Sequence, residues 1–303
     1  MKVLVIGLGS IARKHIKALN NISDKIEIYA LRSNANASVE AGIHNIYQFA
    51  ELDAKTIDFI IISNPTNLHK KTIKSLLEYN IPLFIEKPIF DDLNALPLLE
   101  EIERKNIITY VACNLRFLGC ISFVKEFIKD KRVNEVNSYC GSYLPDWRPG
   151  KDFRKIYSAN KDMGGGVHID LIHEMDYIYW FFGAPNYTYS TKTSHSSLKI
   201  NAVDYANYLL EYPLFCVNII LNYYRKDAKR SLEVLLDEGT LIVNLLKNQV
   251  MFNDMVIFES SKNVIDTYED QLRFFIEQVI TEKTKFNTAT EAFKILKLCI
   301  ARD

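Results

Sequence analysis

The sequence has few cysteines that could form disulfides or a metal site, and it has no long apolar run. Its 303 residues include five cysteines, scattered and without a C-x-x-C pair, which fits neither a disulfide framework nor a zinc site. No uninterrupted apolar run is long enough to span a membrane. The apolar run at the N-terminus starts at once as a strand and is cut by glycines, unlike a signal peptide. We therefore expect a cytoplasmic protein whose cysteines are reduced and mostly structural.

An excess of charge of one sign is also missing. The 37 Lys and Arg residues balance the 37 Asp and Glu residues, so no overall field draws the chain to nucleic acid or to an anionic membrane. Any anion must be bound by locally placed basic groups. With 48% hydrophobic residues the chain can bury a large core, and its length predicts two domains.

The first half of the chain alternates short apolar runs with helical patterns. The β-rich runs cover residues 2–6, 26–31, 57–62, 82–85 and 107–112. They lack in/out polarity, which is typical of strands that are covered on both faces. The alternation with helices predicts an α/β fold, a doubly wound parallel sheet with helices on both sides.

The first run ends in a motif that is associated with dinucleotide binding. The stretch G-L-G-S-I-A that begins at Gly7 matches G-x-G-x-x-G/A directly after a strand and at the start of a helix. Gly7 permits a tight turn, Gly9 removes a Cβ that would collide with the ligand, and Ala12 lets the helix pack on the sheet. At Ser10 and Ile11 the helix offers N–H groups and its positive end to phosphates. A plain glycine turn is the alternative.

The end of the second run bears on which dinucleotide binds. An NAD enzyme usually has an acid there for the ribose 2′-OH, whereas this chain has Leu31, Arg32 and Ser33. A guanidinium and a hydroxyl suit a 2′-phosphate, so the sequence favours NADP and leaves NAD possible. A solvated loop arginine is the alternative.

Three further stretches carry residues capable of chemistry. The stretch S-N-P-T-N-L-H begins at Ser63 after the third run, E-K-P begins at Glu86 after the fourth, and G-G-G-V-H-I-D-L-I-H begins at Gly164. Together with the leading glycine motif, they resemble the glucose–fructose oxidoreductase/inositol dehydrogenase family (the Gfo/Idh/MocA family). The match runs in order across most of the chain.

The resemblance implies two domains. A Rossmann dinucleotide-binding domain is expected at residues 1–115, and a C-terminal α+β domain with a large open, mainly antiparallel sheet at 116–303, with a final helix able to pack back on the first domain. Residues 203–258 are rich in β-forming segments, and helical patterns follow near 264–281 and 288–301. The family often dimerises through this sheet, so a homo-oligomer, dimer or tetramer, is expected.

Lys87 is the first candidate for catalysis. Hydride transfer at a carbinol carbon needs a group that moves the hydroxyl proton. Lys87 follows a predicted strand at the carboxyl edge of the sheet, where open α/β sheets bind their ligands. A surface lysine is the alternative, but the flanking Glu86 and Pro88 match the family pattern and favour catalysis.

Asp170 and His173 are the other candidate catalytic residues. Three positions apart on a predicted helix, they project from one face and can reach a common substrate. The resemblance implies that they surround the reacting carbon with the lysine, and whether Lys87 or His173 is the acid/base stays open. The glycines before this helix predict a loop pressed against the substrate or the nicotinamide, or else a hinge.

A metal site is the competing interpretation of this segment, because His168, Asp170 and His173 are all potential ligands. On a helix His168 would point away from His173, and cofactor chemistry needs no metal. We therefore expect none.

The resemblance also implies roles for residues that follow the third, fourth and fifth runs. Those expected beside the cofactor are Asn64, Pro65, Thr66, Asn67, His69, Glu86 and Lys87. Asn114 and Arg116 resemble a segment that borders the active site, and they are candidate substrate-binding residues. A helix-surface histidine is the alternative for His69, and a cation at the domain interface for Arg116.

The segment from residue 143 to 166 is long, polar and basic, and it leads directly into the glycines. Long loops of this kind are usually functional. Its candidate substrate-binding residues are Trp147, Arg148, Arg154 and Tyr157, with Lys155 beside them. Such a set can grip a phosphate or carboxylate and stack a sugar or base. A solvated excursion over the domain junction is the alternative.

These features predict an NAD(P)-dependent oxidoreductase that acts on a hydroxyl or keto carbon of an anionic sugar derivative: a sugar phosphate, a uronate or a nucleotide sugar. A role in the biosynthesis of glycan precursors is expected, with a small-molecule substrate and neither nucleic acid nor membrane as partner. The alternatives are a non-catalytic NADP-sensing regulator of the same fold and a reductase of a non-sugar substrate. Proton-transfer groups argue against the regulator, and the polar loop argues against an apolar ligand.

Overall fold

The computed structural model describes residues 1–32 and 39–301 of the chain. It divides into two compact units, each described here by itself. The first unit comprises Met1–Asn114 and Ile265–Lys294, and the second comprises Leu115–Val264 and the segment from Ile295 onward.

The strands fall into two sheets. They are β1 (Lys2–Ile6), β2 (Glu27–Leu31), β3 (Ile43–Ile46), β4 (Phe59–Ile62), β5 (Leu83–Glu86), β6 (Thr109–Ala112), β7 (Val133–Tyr143), β8 (Tyr187–Thr193), β9 (Tyr205–Glu211), β10 (Cys216–Asn222), β11 (Tyr224–Leu236), β12 (Gly239–Asn244), β13 (Gln249–Phe252) and β14 (Met255–Glu259). The first unit contains β1 to β6 and the second contains β7 to β14.

The helices are mostly short. They are α1 (Ser10–Ile22), α2 (His69–Leu76), α3 (Leu96–Arg104), α4 (Gly119–Phe127), α5 (Val167–Asp170), α6 (His173–Phe182), α7 (Thr267–Phe274) and α8 (Ala289–Ile300). A π-helical segment, Phe275–Thr281, continues α7. Among the described residues no helix is both long and apolar enough to cross a membrane.

The first unit is a doubly wound sheet, as the sequence predicts. Its order is β3-β2-β1-β4-β5-β6, and every pair of neighbours is parallel. Strands β4, β5 and β6 are buried along their whole length, which explains their continuous apolar sequences. The order reverses between β1 and β4, and open α/β sheets bind ligands at the carboxyl ends of strands at such a switch point.

The second unit contains an eight-stranded sheet in the order β14-β13-β12-β11-β7-β10-β9-β8. Only β7 and β10 pair in parallel, and the other neighbours are antiparallel. The large, mainly antiparallel sheet predicted from the resemblance is therefore confirmed. Buried residues alternate with more exposed ones along β9 and β10, as expected of a sheet with one covered face.

Candidate active site

The glycine turn after β1 is shaped by the neighbouring strand. Gly7 has φ +89°, and a Cβ there would lie 2.6 Å from the Cα of Asn64, the second residue after β4. The hydroxyl of Ser63 donates to the carbonyl of Gly7 at 2.9 Å and fastens the two strand ends together. Only glycine fits this position, because the backbone conformation and the close approach both exclude a side chain.

Gly9 is not required by the parts of the protein that the structure describes. Its φ of −92° suits any residue, and no atom of the described residues lies within 4 Å of the place where its Cβ would stand. It is exposed at the start of α1, whose first turn has no acidic residue and, within the described ranges, no side-chain cap, while Ala12 is fully buried. Open space before uncapped N–H groups is what a pyrophosphate requires, so these residues fit a dinucleotide.

Arg32 directly follows β2 and is held against β3. Its backbone N–H donates to the carbonyl of Ile46 at 2.8 Å, and its guanidinium donates to the side-chain oxygen of Asn45 at 2.8 Å. The guanidinium therefore lies at the carboxyl ends of the strands. Ser33, which the sequence pairs with Arg32 in cofactor binding, lies outside the described residues.

His69 is buried, with 1% of its surface exposed, and supports two loops. Its Nε2 lies 3.0 Å from the carbonyl oxygen of Asn64, and its Nδ1 lies 3.1 Å from that of Ile89. Burial lowers the pKa of His69. The interpretation as a helix-surface histidine does not fit this placement, and the ring ties the loop after β4 to the loop after β5.

The other residues of the loop after β4 differ in exposure. Pro65 and Asn67 are exposed, while Thr66 is buried. The side-chain amide of Asn64 donates to the hydroxyl of Thr72 at 2.8 Å. Only the exposed members of this set therefore face solvent, where a ligand would approach.

Glu86 and Lys87 stand at the carboxyl end of β5. Glu86 is buried, and its Oε1 lies 2.5 Å from Nε2 of His15 on α1. Its other oxygen accepts the backbone N–H of Lys87 at 3.2 Å. Lys87 itself is half-buried. It lies at the carboxyl edge of the sheet, the same edge at which the glycine motif follows β1.

Asn114 is engaged inside the first unit. It is buried, and its amide donates to the hydroxyl of Thr267 at 2.7 Å. This bond fastens the end of β6 to the start of α7. The geometry gives Asn114 a structural role, and its predicted contact with substrate remains a prediction.

In the second unit, the glycine run is pressed against its own chain. Gly164 and Gly166 have φ of +81° and +141°. A Cβ on Gly165 would clash with the carbonyl oxygen of Tyr157, and one on Gly166 would lie 2.7 Å from the ring of His168. The close approaches that the structure describes are to Tyr157 and His168 of the chain itself, and the expected contact with substrate or nicotinamide stays a prediction.

Asp170 and His173 lie on two consecutive helices, and the prediction of one helix is wrong. Asp170 ends α5 and His173 begins α6, because Leu171, with φ −98° and ψ 34°, breaks the helix between them. An argument from i,i+3 spacing therefore does not place their side chains.

Tyr223 holds Asp170 and was not found from the sequence. Its hydroxyl donates to Oδ2 of Asp170 at 2.5 Å. Burial, together with the charge of Asp170, raises the pKa of Tyr223, so it remains the donor and the carboxylate the acceptor. Tyr223 lies in the β-rich stretch F-C-V-N-I-I-L-N-Y-Y. In the sequence, only its position directly before β11, which begins Y-R-K, distinguishes it from the other aromatic residues of the stretch.

His168 lies on α5, two residues before Asp170 in the sequence. Burial, assisted by the charge of Lys192, lowers the pKa of His168 to about 4, so the imidazole is neutral at neutral pH. Across residues 1–32 and 39–301, no three His, Cys, Asp or Glu side chains gather in a way that could hold a metal ion.

The polar segment before the glycines consists of four short 3-10 turns. Trp147 is 37% exposed, its indole N–H donates to the hydroxyl of Ser142 at 3.0 Å, and its ring meets that of Tyr223 edge-on at 5.3 Å. The hydroxyl of Tyr157 donates to the carbonyl of Gly164 at 2.7 Å. The structure therefore brings together Trp147, Tyr223 and Asp170.

The basic residues of the segment are exposed to solvent. Arg148, Arg154 and Lys155 are exposed, and the guanidinium of Arg154 lies over the ring of Phe153 at 4.5 Å. Exposed cations of this kind are available to an anion without a large desolvation cost.

Arg116 lies in the interior of the second unit. Its guanidinium donates twice to the carboxylate of Asp176, at 2.9 and 2.8 Å, and both side chains are 1% exposed. The same guanidinium lies over the ring of Trp180 at 5.6 Å. A buried, bidentate ion pair is a structural arrangement, so this geometry does not support the predicted contact of Arg116 with substrate.

The fold and these residues define a dinucleotide-binding oxidoreductase scaffold. Residues 1–112 match the family model described as the oxidoreductase family, NAD-binding Rossmann fold, and residues 121–242 match the GFO/IDH/MocA C-terminal domain. Together the two models cover more than half of the chain, and the chain belongs to the Gfo/Idh/MocA family. The resemblance noted in the sequence is confirmed.

Similar proteins have low sequence identity to this chain. Glucose-6-phosphate 3-dehydrogenase of Bacillus subtilis is 22% identical over 265 residues, covering 83% of this chain and 66% of that protein. The structure of myo-inositol 2-dehydrogenase from Lactobacillus plantarum has a TM-score of 0.80 at 20% identity, covering 99% of this chain and 95% of that one. UDP-N-acetylglucosamine 3-dehydrogenase from Acidithiobacillus ferrooxidans has a TM-score of 0.82 at 16% identity, with the same coverage.

The likeness to solved structures shows the fold alone. Matches to eight curated relatives cover between 38% and 66% of those proteins' own lengths.

Proposed function

We propose that this protein is an NAD(P)-dependent dehydrogenase or reductase acting on a CH–OH group of a sugar derivative. The observation that carries the proposal is Lys87 at the carboxyl end of β5, in the same sheet whose Gly7 turn and uncapped α1 fit a dinucleotide. Membership of the Gfo/Idh/MocA family supports the same reaction class. A sensor without turnover would need no lysine at this edge.

The residues proposed to hold the cofactor surround the switch point of the first sheet. Gly7 and Gly9 leave room for a pyrophosphate against the N-terminus of α1, and Arg32 lies where the adenosine ribose is bound in such folds. When bound, a nicotinamide cofactor supplies the hydride acceptor or donor. The loop after β4 is proposed to border the ribose and nicotinamide through its exposed residues Pro65 and Asn67.

The chain's own groups are proposed to handle the proton and the substrate. Lys87 moves the hydroxyl proton through its Nζ. Asp170, fixed by the hydroxyl of Tyr223, accepts a hydrogen bond from a substrate hydroxyl, and His173 binds or exchanges a proton with the reacting hydroxyl. The bond from Tyr223 keeps one carboxylate oxygen occupied and the carboxylate in one orientation.

The substrate is proposed to be anionic. Arg148 and Arg154 are exposed in the same segment as Trp147, whose partly exposed ring offers a stacking face for a sugar or base. The names of two similar proteins, a glucose-6-phosphate 3-dehydrogenase and a UDP-N-acetylglucosamine 3-dehydrogenase, agree with this class. A place in the synthesis of glycan precursors would follow for a nucleotide sugar.

The reaction class is tested by screening the purified chain for substrate-dependent formation or loss of reduced nicotinamide absorbance. The panel contains neutral sugars, inositols, sugar phosphates, uronates and nucleotide sugars, each with NAD(H) and NADP(H). Turnover of at least one member is expected. Tight binding of a dinucleotide with no turnover across the panel in either direction would favour the regulator instead.

Replacement of Arg154 by alanine is expected to raise the KM for the anionic substrate about tenfold or more, because a hydrogen bond to a charged group contributes about 1.5 to 3 kcal/mol. The KM for the cofactor should stay within about twofold. Steady-state kinetics measure both, with Arg104→Ala on α3 as the control for loss of an exposed arginine. Good activity on a neutral sugar that Arg148→Ala and Arg154→Ala leave unchanged would contradict the anionic substrate.

The preference for NADP over NAD is also proposed. Leu31 offers no acceptor to a ribose 2′-OH, whereas the guanidinium of Arg32, directed by Asn45, provides donors for a 2′-phosphate. One charge-assisted bond corresponds to a preference of about tenfold or more.

Arg32→Ala is therefore expected to remove most of a tenfold preference for NADP(H), measured as the ratio of dissociation constants by fluorescence titration. The preference should weaken as salt rises, because a partly exposed ion pair is screened. Arg104→Ala on α3 is the matched control. Equal affinity of the wild type for NAD(H) and NADP(H) would show that Arg32 is only a loop cation.

A homo-oligomer through the second sheet remains a proposal. Apolar side chains are exposed on this sheet, among them Tyr189, Leu209 and Ile242. Residues of β7, β10, β11 and β12 line a pocket with a volume of about 500 Å³. Both features agree with a covered face in an assembly.

A further inference from the structure

His15 is a buried histidine that the proposed reaction does not use. It lies on α1, the helix whose first turn is proposed to bind the cofactor phosphates, and none of its surface is exposed. Its ring meets the rings of Phe84 and Tyr268 edge-on, at 5.0 and 5.4 Å. The ring is therefore fixed on two sides by aromatic side chains.

The hydrogen bond of His15 shows that one particular ring nitrogen carries a proton. Its Nε2 lies 2.5 Å from Oε1 of Glu86, and within the described parts of the chain no hydrogen-bond partner faces its Nδ1. A carboxylate accepts and does not donate, so Nε2 carries a proton. The carboxylate of Glu86 is therefore bound by a directed donor in the interior of the first unit.

Glu86 also binds the backbone of the next residue, Lys87. One of its carboxylate oxygens is bound by His15, and the other accepts the backbone N–H of Lys87. The two oxygens of one rigid carboxylate thus join the ring on α1 to the backbone of the turn after β5. Rotation of the Glu86 carboxylate would break both bonds.

We propose that His15 and Glu86 are positioning residues that set the backbone of Lys87 relative to the cofactor-binding helix. This inference rests on the proposed function, in which Lys87 moves the substrate proton. The helix that would hold the phosphates and the turn that carries the acid/base are then joined by one side-chain bridge. Proton and hydride transfer both depend on such alignment, and a displacement of about 1 Å can lower a rate about a hundredfold.

The kinetic test compares two replacements of His15. His15→Leu removes the donor and is expected to lower kcat about tenfold or more, with the dissociation constant of the cofactor changed by less than about threefold. His15→Gln restores a donor near the position of Nε2 and should recover most of kcat. His44→Leu, which replaces an exposed histidine on β3, is the matched control.

A double variant tests whether the two residues act together. Glu86→Gln places an amide N–H₂ against one of the two donors and breaks one bond of the bridge. The loss of kcat in His15→Leu/Glu86→Gln should be no larger than in the more impaired single variant. Losses that multiply would mean that the residues act separately, which overturns the bridge.

Hydrogen exchange supplies a readout that requires no substrate. The amide of Lys87 is bound by Glu86, so exchange in a peptide covering residues 84–90 should speed up at least about tenfold in His15→Leu and return in His15→Gln. Unchanged exchange in His15→Leu would overturn the positioning role whether or not a sugar is turned over. Faster exchange with an unchanged kcat would overturn it as well, whereas wild-type turnover by Lys87→Ala would overturn the proposed function and leave the exchange result standing.

Discussion

Replacement of Lys87 by alanine is expected to lower turnover at least about a hundredfold while the cofactor still binds with nearly unchanged affinity. A positioned acid or base contributes about a hundred- to ten-thousandfold to a rate, and alanine has no group that transfers a proton. Lys87 follows β5, whereas the residues proposed to meet the phosphates follow β1. Single-turnover kinetics and fluorescence titration of the cofactor measure the two quantities separately.

The control for this change is Lys105→Ala, which removes a lysine that directly follows α3 and whose Nζ lies 4.0 Å from Oε1 of Glu101. It should retain full turnover. His173→Ala is expected to impair turnover in a similar way, and the two losses should not multiply if Lys87 and His173 handle the same proton. A Lys87→Ala variant with near wild-type turnover would remove Lys87 from the mechanism.

The parallel sheet could be predicted because most of its strands are covered on both faces. Strand β4 is apolar throughout, and β1, β5 and β6 are apolar except at one terminal residue each, so the pattern predicts each strand within two residues of its observed start. Strand β3 was missed because it lies at the sheet edge, where His44 and Asn45 are partly or fully exposed and break the apolar run. An edge strand of four residues has no pattern that separates it from a loop.

The second sheet could be predicted only in part. Strands β9 to β13 contain enough β-branched, aromatic and other apolar residues to be predicted. Strand β7, the central strand between β10 and β11, was not predicted, because Asn, Glu and Ser occupy many of its positions. Its buried residues are separated by many polar ones, so the amino-acid composition of the segment does not indicate a strand.

The motifs of the candidate site could be found from the sequence, but the partners that hold them could not. His15 and Glu86 are 71 residues apart, and Tyr223 and Asp170 are 53 residues apart. Such pairs arise from the folding of distant segments onto one another, and local patterns do not contain them. The glycines illustrate the same limit: Gly7 was identified as a turn, but its contact with Asn64 depends on the neighbouring strand.

The structural role of Arg116 could not be predicted from the sequence either, because its ion-pair partner, Asp176, is 60 residues away. Removal of one member of a buried ion pair leaves the other charge without compensation, at a cost of about 3 to 5 kcal/mol. Arg116→Leu is therefore expected to lower the free energy of unfolding by about that amount, since the carboxyl group of Asp176 would lose its partner in an interior where its side chain is 1% exposed. Urea unfolding, followed by fluorescence, measures the change.

The double variant Arg116→Leu/Asp176→Leu separates the ion pair from loss of packing. With both charges removed, most of the lost free energy of unfolding should return, because buried pairs often contribute little beyond the apolar residues that replace them. Arg225→Leu breaks a surface ion pair with Asp227, whose side chain is 81% exposed, and should leave the free energy of unfolding nearly unchanged. If Arg116→Leu were as stable as the wild type and instead raised the KM for substrate, the arginine would belong to the binding site after all, because an interior ion pair has no means of changing KM without changing stability.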